Sequence, residues 1–196
     1  MNLPNKLTVL RMVLVPFFVF FMLTPALPHH YLLALVVFAV ASYTDHLDGK
    51  IARSRHLITN FGKLMDPLAD KILVISALVC MASLGLTNAW FVIIIVAREF
   101  LVTSIRLLAV ESGTVIPANN WGKAKTVSQM VAIIAVLALQ YVLELHDLGL
   151  VAFADPAALG RVFLLVGNGL LAVAVVLTLI SGATYVVQNR GLFADK

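Results

Sequence analysis

The chain has 196 residues, of which 61% are hydrophobic and 12% charged, and its mean hydropathy is +1.00. A soluble domain runs about 45–50% apolar and about 25% charged, so this composition leaves too little polar surface to cover a water-soluble globule. A soluble enzyme, a disordered chain and a disulfide scaffold are excluded, and the net charge of +4 is to be read against a membrane rather than nucleic acid.

A spanning helix needs about 20 mostly apolar residues. Six such segments follow one another, at about 7–23, 31–54, 60–84, 89–110, 120–145 and 159–187. They predict an all-α membrane protein of six transmembrane helices, folded as a single integral-membrane domain over 1–196. The first segment is followed by Pro25 and Pro28 and has no small-residue cleavage site, so it reads as a span and not as a cleaved leader. Pro16 is expected to kink this helix, and Pro67 to distort the third. His29 and His30 fall on the first connector and are expected to be solvated. Cys80, the lone cysteine, sits in an apolar run as small filler. Trp90 and Trp121, near span ends, suit interfacial anchors. Gly85, Gly113, Pro117, Gly149 and Pro156 mark further connectors, and in the sixth segment Gly167, Gly169, Ala172 and Ala174 permit close helix contact.

Lysine and arginine set the orientation. Lys6, Arg11, Lys50, Arg53, Arg55, Lys63, Lys123, Lys125, Arg190 and Lys196 fall at one set of helix ends, and Arg161 alone at the other. That bias puts both termini in the cytoplasm, as an even number of spans requires. Lys6 and Arg11 are expected to anchor the first helix at anionic headgroups.

Four of the seven aspartates lie between positions 45 and 70, inside hydrophobic segments. Ionisable groups there are costly and by default mark a functional site. At about 100° per residue, Asp48, Gly49 and Ala52 share a face with Asp45, and Gly62, Asp66 and Asp70 form a second stripe on the next helix. The two helices are antiparallel across a short loop near 55–60, so the four carboxylates are expected to meet at similar depth, on the cytoplasmic side. Unneutralised, they would repel. Clustered aspartate oxygens suit Mg²⁺ or Mn²⁺, and two such ions about 4 Å apart are an arrangement used for displacement at phosphorus. Gly49, Ala52 and Gly62 let a bulky ligand approach the backbone, and Arg53 can set a cation against a phosphate. An ion-coupling site in a cation transporter and a structural polar cluster are the alternatives that aspartate pairs alone leave open.

The spacing Asp45-x2-Asp48-Gly49-x2-Ala52-Arg53-x8-Gly62-x3-Asp66-x3-Asp70 resembles the signature of the CDP-alcohol phosphatidyltransferases at every specified position. Within that family the chain is similar to the bacterial phosphatidylglycerophosphate synthases, also in LPNKLTVLRMVLVPFF, GKLMDPLADKIL, IIVAREFLVTSIR and WGKAKT. The resemblance implies a homodimeric six-helix enzyme of the bacterial cytoplasmic membrane, with its active site facing the cytoplasm. By the same resemblance, Asp45 and Asp66 bridge two divalent cations, Asp48 binds the first and Asp70 the second, and Asp70 is also the catalytic base. Gly49, Ala52, Arg53, Thr59 and Gly62, with Asn5 and Thr8, are implied to contact CDP-diacylglycerol. The implied reaction joins CDP-diacylglycerol and sn-glycerol 3-phosphate into phosphatidylglycerophosphate and CMP. A cardiolipin synthase of the same fold, with a lipid acceptor, is the alternative.

Glycerol 3-phosphate carries a phosphate of about −1.5 to −2, so cations beyond the metals should await it. Arg98, Arg106, Lys123 and Lys125 are the candidates for this acceptor site, with Arg98 deepest. Glu99 points about 100° away from Arg98 along the helix and looks an awkward partner for it.

Overall fold

The computed structural model describes residues 3–55, 60–111, 116 and 120–190. Six helices follow one another among them: α1 (Leu3–Leu23), α2 (His30–Arg55), α3 (Asn60–Ser83), α4 (Ala89–Glu111), α5 (Asn120–Asp147) and α6 (Pro156–Gln188). No strand occurs among the described residues. Each helix coincides with one of the apolar segments, and α1 stays helical through Pro16.

Helix ends are built by recognisable chemistry. The Asp155 carboxylate accepts the Ala158 N–H at 2.8 Å and Pro156 opens the helix, so α6 begins at a capped aspartate followed by a residue that needs no N–H partner. The start of α2 is capped from a distance instead. Glu144, near the end of α5, accepts the N–H of His30 at 2.7 Å and of Tyr31 at 3.1 Å. His30 is buried, with Nδ1 3.2 Å from the Phe21 carbonyl oxygen, and His29 Nδ1 stands 3.2 Å from the Tyr141 hydroxyl. The expectation of two solvated histidines is therefore corrected: the His29 ring packs on Tyr141 of α5, and the His30 ring lies against the Phe21 carbonyl oxygen and Tyr31.

α1 lies against α2 and α3, α5 against α6 and α2, and α4 against α6 and α3. One face of α1 carries Asn5, Thr8 and Arg11, then Val15, Phe18 and Met22, all buried, at spacings of three and four residues. Arg11 is fully buried, which corrects its expected place among lipid headgroups, whereas Lys6 is exposed. The apolar half of that face enters a core with Phe38 of α2, Leu78, Cys80 and Met81 of α3, Ile95 of α4, Ile133 and Leu137 of α5 and Leu171 of α6. Gly167 permits a close crossing, because a Cβ there would sit 2.7 Å from Val136 Cγ2 on α5. A Cβ at Gly169 would meet nothing within 4 Å.

The outward surface is apolar: Phe17, Phe100, Leu107, Leu165 and Val187 are each more than half exposed. Such a surface is suited to lipid as solvent. Stretches of α1, α5 and α6 are long and apolar enough to cross a membrane (Asn5–Leu23, Asn120–Asp147, Pro156–Gln188). Shorter apolar runs, His30–Thr44 and Lys71–Ser83, end just before Asp45 and begin just after Asp70.

Candidate active site

The aspartates stand on the two helices that share the short connection 56–59. Asp45 and Asp48 occupy the last turns of α2, and Asp66 and Asp70 the first turns of α3. Asp45 lies ten residues before Arg55 and Asp70 ten residues after Asn60, each about 15 Å along its helix at 1.5 Å per residue. Asp48 lies seven residues before Arg55 and Asp66 six residues after Asn60, nearer the connection. Gly49, Ala52 and Arg53 belong to the same stretch of α2, and Gly62 to α3. The side chains of these signature positions, and Thr59 altogether, lie outside the described residues, as does the expected meeting of the carboxylates. Among the described residues no three His, Cys, Asp or Glu side chains gather as a metal site. As a donor set, four carboxylates on paired helices suit hard divalent cations. Asn5 and Thr8 are buried on the face of α1, the helix that packs on both α2 and α3.

Beside this hairpin lies a cavity of about 500 Å³ whose wall holds Lys71 of α3, Arg98, Glu99 and Arg106 of α4, and Lys123 of α5. Three of the four acceptor candidates thus line one space, together with a lysine that directly follows Asp70. Lys125 does not line it. Its side chain is almost wholly buried and ion-pairs with Glu99 Oε1.

Each cation is held differently. Arg98 Nη1 approaches Glu99 Oε1 at 3.3 Å, and Nη2 donates to the Ser181 hydroxyl on α6. Glu99 is therefore a partner of Arg98 after all: both side chains are long enough to converge despite the 100° between their origins. Gly182 leaves room for this crossing, since a Cβ there would stand 3.2 Å from Arg98 Cγ. Lys71 Nζ lies 3.9 Å from Glu99 Oε2. Arg106 Nε donates to the Tyr185 hydroxyl at 2.7 Å, which leaves its two terminal amino groups without a partner among the described residues. Lys123 is exposed at the mouth.

Neither Lys71 nor Glu99 is among the site residues that the sequence predicts. The signal for Lys71 was present: a lysine at the start of a long apolar run, adjacent to an aspartate of the signature, needs a reason to be there. Glu99 carries the same local signal, a carboxylate within an apolar span beside Arg98, but its partners on α3 and α5 are remote in sequence.

The sequence profile of the CDP-alcohol phosphatidyltransferases matches residues 1–180. The chain belongs to the CDP-alcohol phosphatidyltransferase family. Among its relatives is a Bacillus subtilis (strain 168) protein named CDP-diacylglycerol–glycerol-3-phosphate 3-phosphatidyltransferase, 42% identical over 179 residues, which span 86% of this chain and 91% of the relative. Proteins of the same name from Pseudomonas fluorescens (37% identical, covering 87% of this chain and 84% of the relative) and Rickettsia bellii (33%, covering 94% and 93%) are also similar. For this family member, the four aspartates and the cationic cavity lie within the matched residues.

Proposed function

We propose that the chain transfers the phosphatidyl group of CDP-diacylglycerol to sn-glycerol 3-phosphate, giving phosphatidylglycerophosphate and CMP. Family membership and the names of relatives similar along nearly their whole length support the donor and the reaction class. The observation that carries the acceptor is the cavity lined by Lys71, the residue that follows Asp70 in the chain, with Arg98, Arg106 and Lys123. A lipid acceptor would need a broad apolar entrance, whereas four cations about one space suit a small dianion.

In this reading Arg98, Arg106 and Lys123, joined by Lys71, hold the acceptor's phosphate, and Lys125 acts through Glu99 rather than by touching it. The cations fix the acceptor so that its primary hydroxyl faces the donor's phosphorus. Asp70 takes the hydroxyl proton as the new oxygen–phosphorus bond forms. The bond to CMP breaks, and CMP leaves with the electron pair. Asn5, Thr8, Gly49, Ala52, Arg53, Thr59 and Gly62 form the CDP-diacylglycerol side, with small residues where the nucleotide must approach the backbone. Two Mg²⁺ or Mn²⁺ ions, held by Asp45, Asp48, Asp66 and Asp70, supply neutralisation of the diphosphate when bound.

The proposal includes six spans with both termini in the cytoplasm of a bacterium, the site opening to the inner leaflet, and a homodimer. The lysine and arginine bias supports the orientation; family resemblance supports the dimer. The test is CMP release by purified protein from CDP-diacylglycerol with glycerol 3-phosphate or with phosphatidylglycerol, each with Mg²⁺ and with excess chelator. Release that depends on both glycerol 3-phosphate and Mg²⁺ is expected. Release with phosphatidylglycerol alone would assign a cardiolipin synthase, and undiminished release in chelator would remove the metal role.

A further inference from the structure

Glu99 gathers cations from three helices. Its carboxylate meets Arg98 of its own helix, Lys125 of α5 and Lys71 of α3. It also stands in a partition: the cationic cavity lies on one side, and on the other a space of about 30 Å³ is lined by Lys71, Glu99, Lys125 and Gln129. Two of its three partners, Lys71 and Arg98, face the larger cavity, and the third does not. One carboxylate cannot neutralise three cations, so a positive excess is left on the side where Lys71 and Arg98 stand. Without it, three like charges on packed helices would push apart, and the long lysine and arginine chains would lose their common anchor.

We propose that Glu99 is a positioning residue for the acceptor's phosphate: it holds Lys71 and Arg98 at the cavity wall and takes up Lys125 behind them. This rests on reading the cavity as the acceptor site. Glu99 touches neither the reacting atoms nor the nucleotide in this assignment. Its loss therefore acts on the apparent affinity for glycerol 3-phosphate and leaves that for CDP-diacylglycerol alone.

The experiment must separate this role from simple neutralisation of a buried lysine. Lys125→Met removes that lysine, and Glu99→Gln is then added in the Lys125→Met background, so neither variant buries an unpaired ammonium at position 125. Expected is a KM for glycerol 3-phosphate about tenfold higher in the double variant than in Lys125→Met, the size of one lost charge-assisted hydrogen bond. The KM for CDP-diacylglycerol should match between the two, and kcat should change less than KM. Glu99→Asp, which keeps the charge on a shorter arm, should fall between wild type and the double variant. Equal KM values for glycerol 3-phosphate in Lys125→Met and the double variant would overturn the proposal. If the double variant fails to fold, Glu99→Asp alone decides, and a wild-type KM there overturns it. A wild-type protein that releases no CMP with glycerol 3-phosphate refutes the proposed reaction instead. Titration of glycerol 3-phosphate into nanodisc-embedded Lys125→Met, with and without Glu99→Gln, then still judges Glu99: weaker binding in the double variant is expected, and equal binding overturns the proposal.

Discussion

Arg106 and Tyr185 form a paired contact between α4 and α6: Nε donates to the hydroxyl at 2.7 Å, and the guanidinium carbon lies 5.4 Å from the centre of the same ring. Tyr185 is buried, whereas Arg106 is exposed, so the ring is the fixed member and the arginine the one being aimed. Tyr185→Phe keeps the ring and its packing but removes the hydroxyl. The expected result is a KM for glycerol 3-phosphate raised about fivefold, in line with a net hydrogen bond of about 1 kcal/mol. The unfolding midpoint should stay close to wild type. A KM equal to wild type would mean the hydroxyl does not orient Arg106 for binding.

Removing the cations themselves should cost more, and selectively. Arg106→Ala or Lys123→Ala is expected to raise KM for glycerol 3-phosphate by about tenfold or more, the loss of a charge-assisted contact of about 1.5–3 kcal/mol. The KM for CDP-diacylglycerol should barely move. Arg161, exposed on the first turns of α6, is the comparison: Arg161→Ala changes the net charge equally but should leave both constants unaltered. Parallel loss for both substrates in the Arg106 or Lys123 variants would refute the assignment of this cavity to the acceptor.

The Glu144 carboxylate serves stability at the other end of the bundle. It accepts two N–H groups at the start of α2, which otherwise would be unsatisfied helix donors, and it is buried while doing so. Glu144→Gln keeps the shape but loses the charge that favours a helix N-terminus. A destabilisation of about 1 kcal/mol is expected, measured by thermal unfolding in detergent. Both KM values should remain those of the wild type, because no residue of the cationic cavity belongs to this cap.

How much of this was legible beforehand follows from the range of the forces involved. The helices were readable because a span is a local property: long apolar runs broken by Pro, Gly and Asn fall where α1 to α6 fall. The start of α6 at Pro156, three residues before its expected start, is also written locally, as an aspartate before a proline, a pair that serves a connector and a helix start alike. The signature residues were readable on α2 and α3 because their spacing is that of a helix face. What could not be read was anything assembled from distant segments. Glu99 meets Lys125 across 26 positions and Lys71 across 28, and Glu144 caps a helix that starts 114 residues earlier. Arg11 is an intermediate case, since its spacing from Thr8 and Val15 put it on the buried face while its charge suggested the surface.

Gly167 offers the sharpest test of packing. Its missing side chain lets α6 approach Val136 of α5 so closely that a Cβ would sit 2.7 Å from Cγ2, a distance no ordinary contact tolerates. Val136 is itself buried, so its methyl group has little room to yield. Gly167→Ala is therefore expected to destabilise by about 1–3 kcal/mol, the usual range for overpacking a filled interior. Val136→Ala alone should also destabilise, by leaving a small void. Combined, the two changes should cost less than the sum of their separate effects by about 0.5 kcal/mol or more, because the added methyl occupies the space the valine vacates. Unfolding midpoints of the four proteins in one detergent measure that difference. Strict additivity would show that α5 and α6 separate to admit the new methyl, in which case the close crossing is not a constraint that the glycine exists to meet.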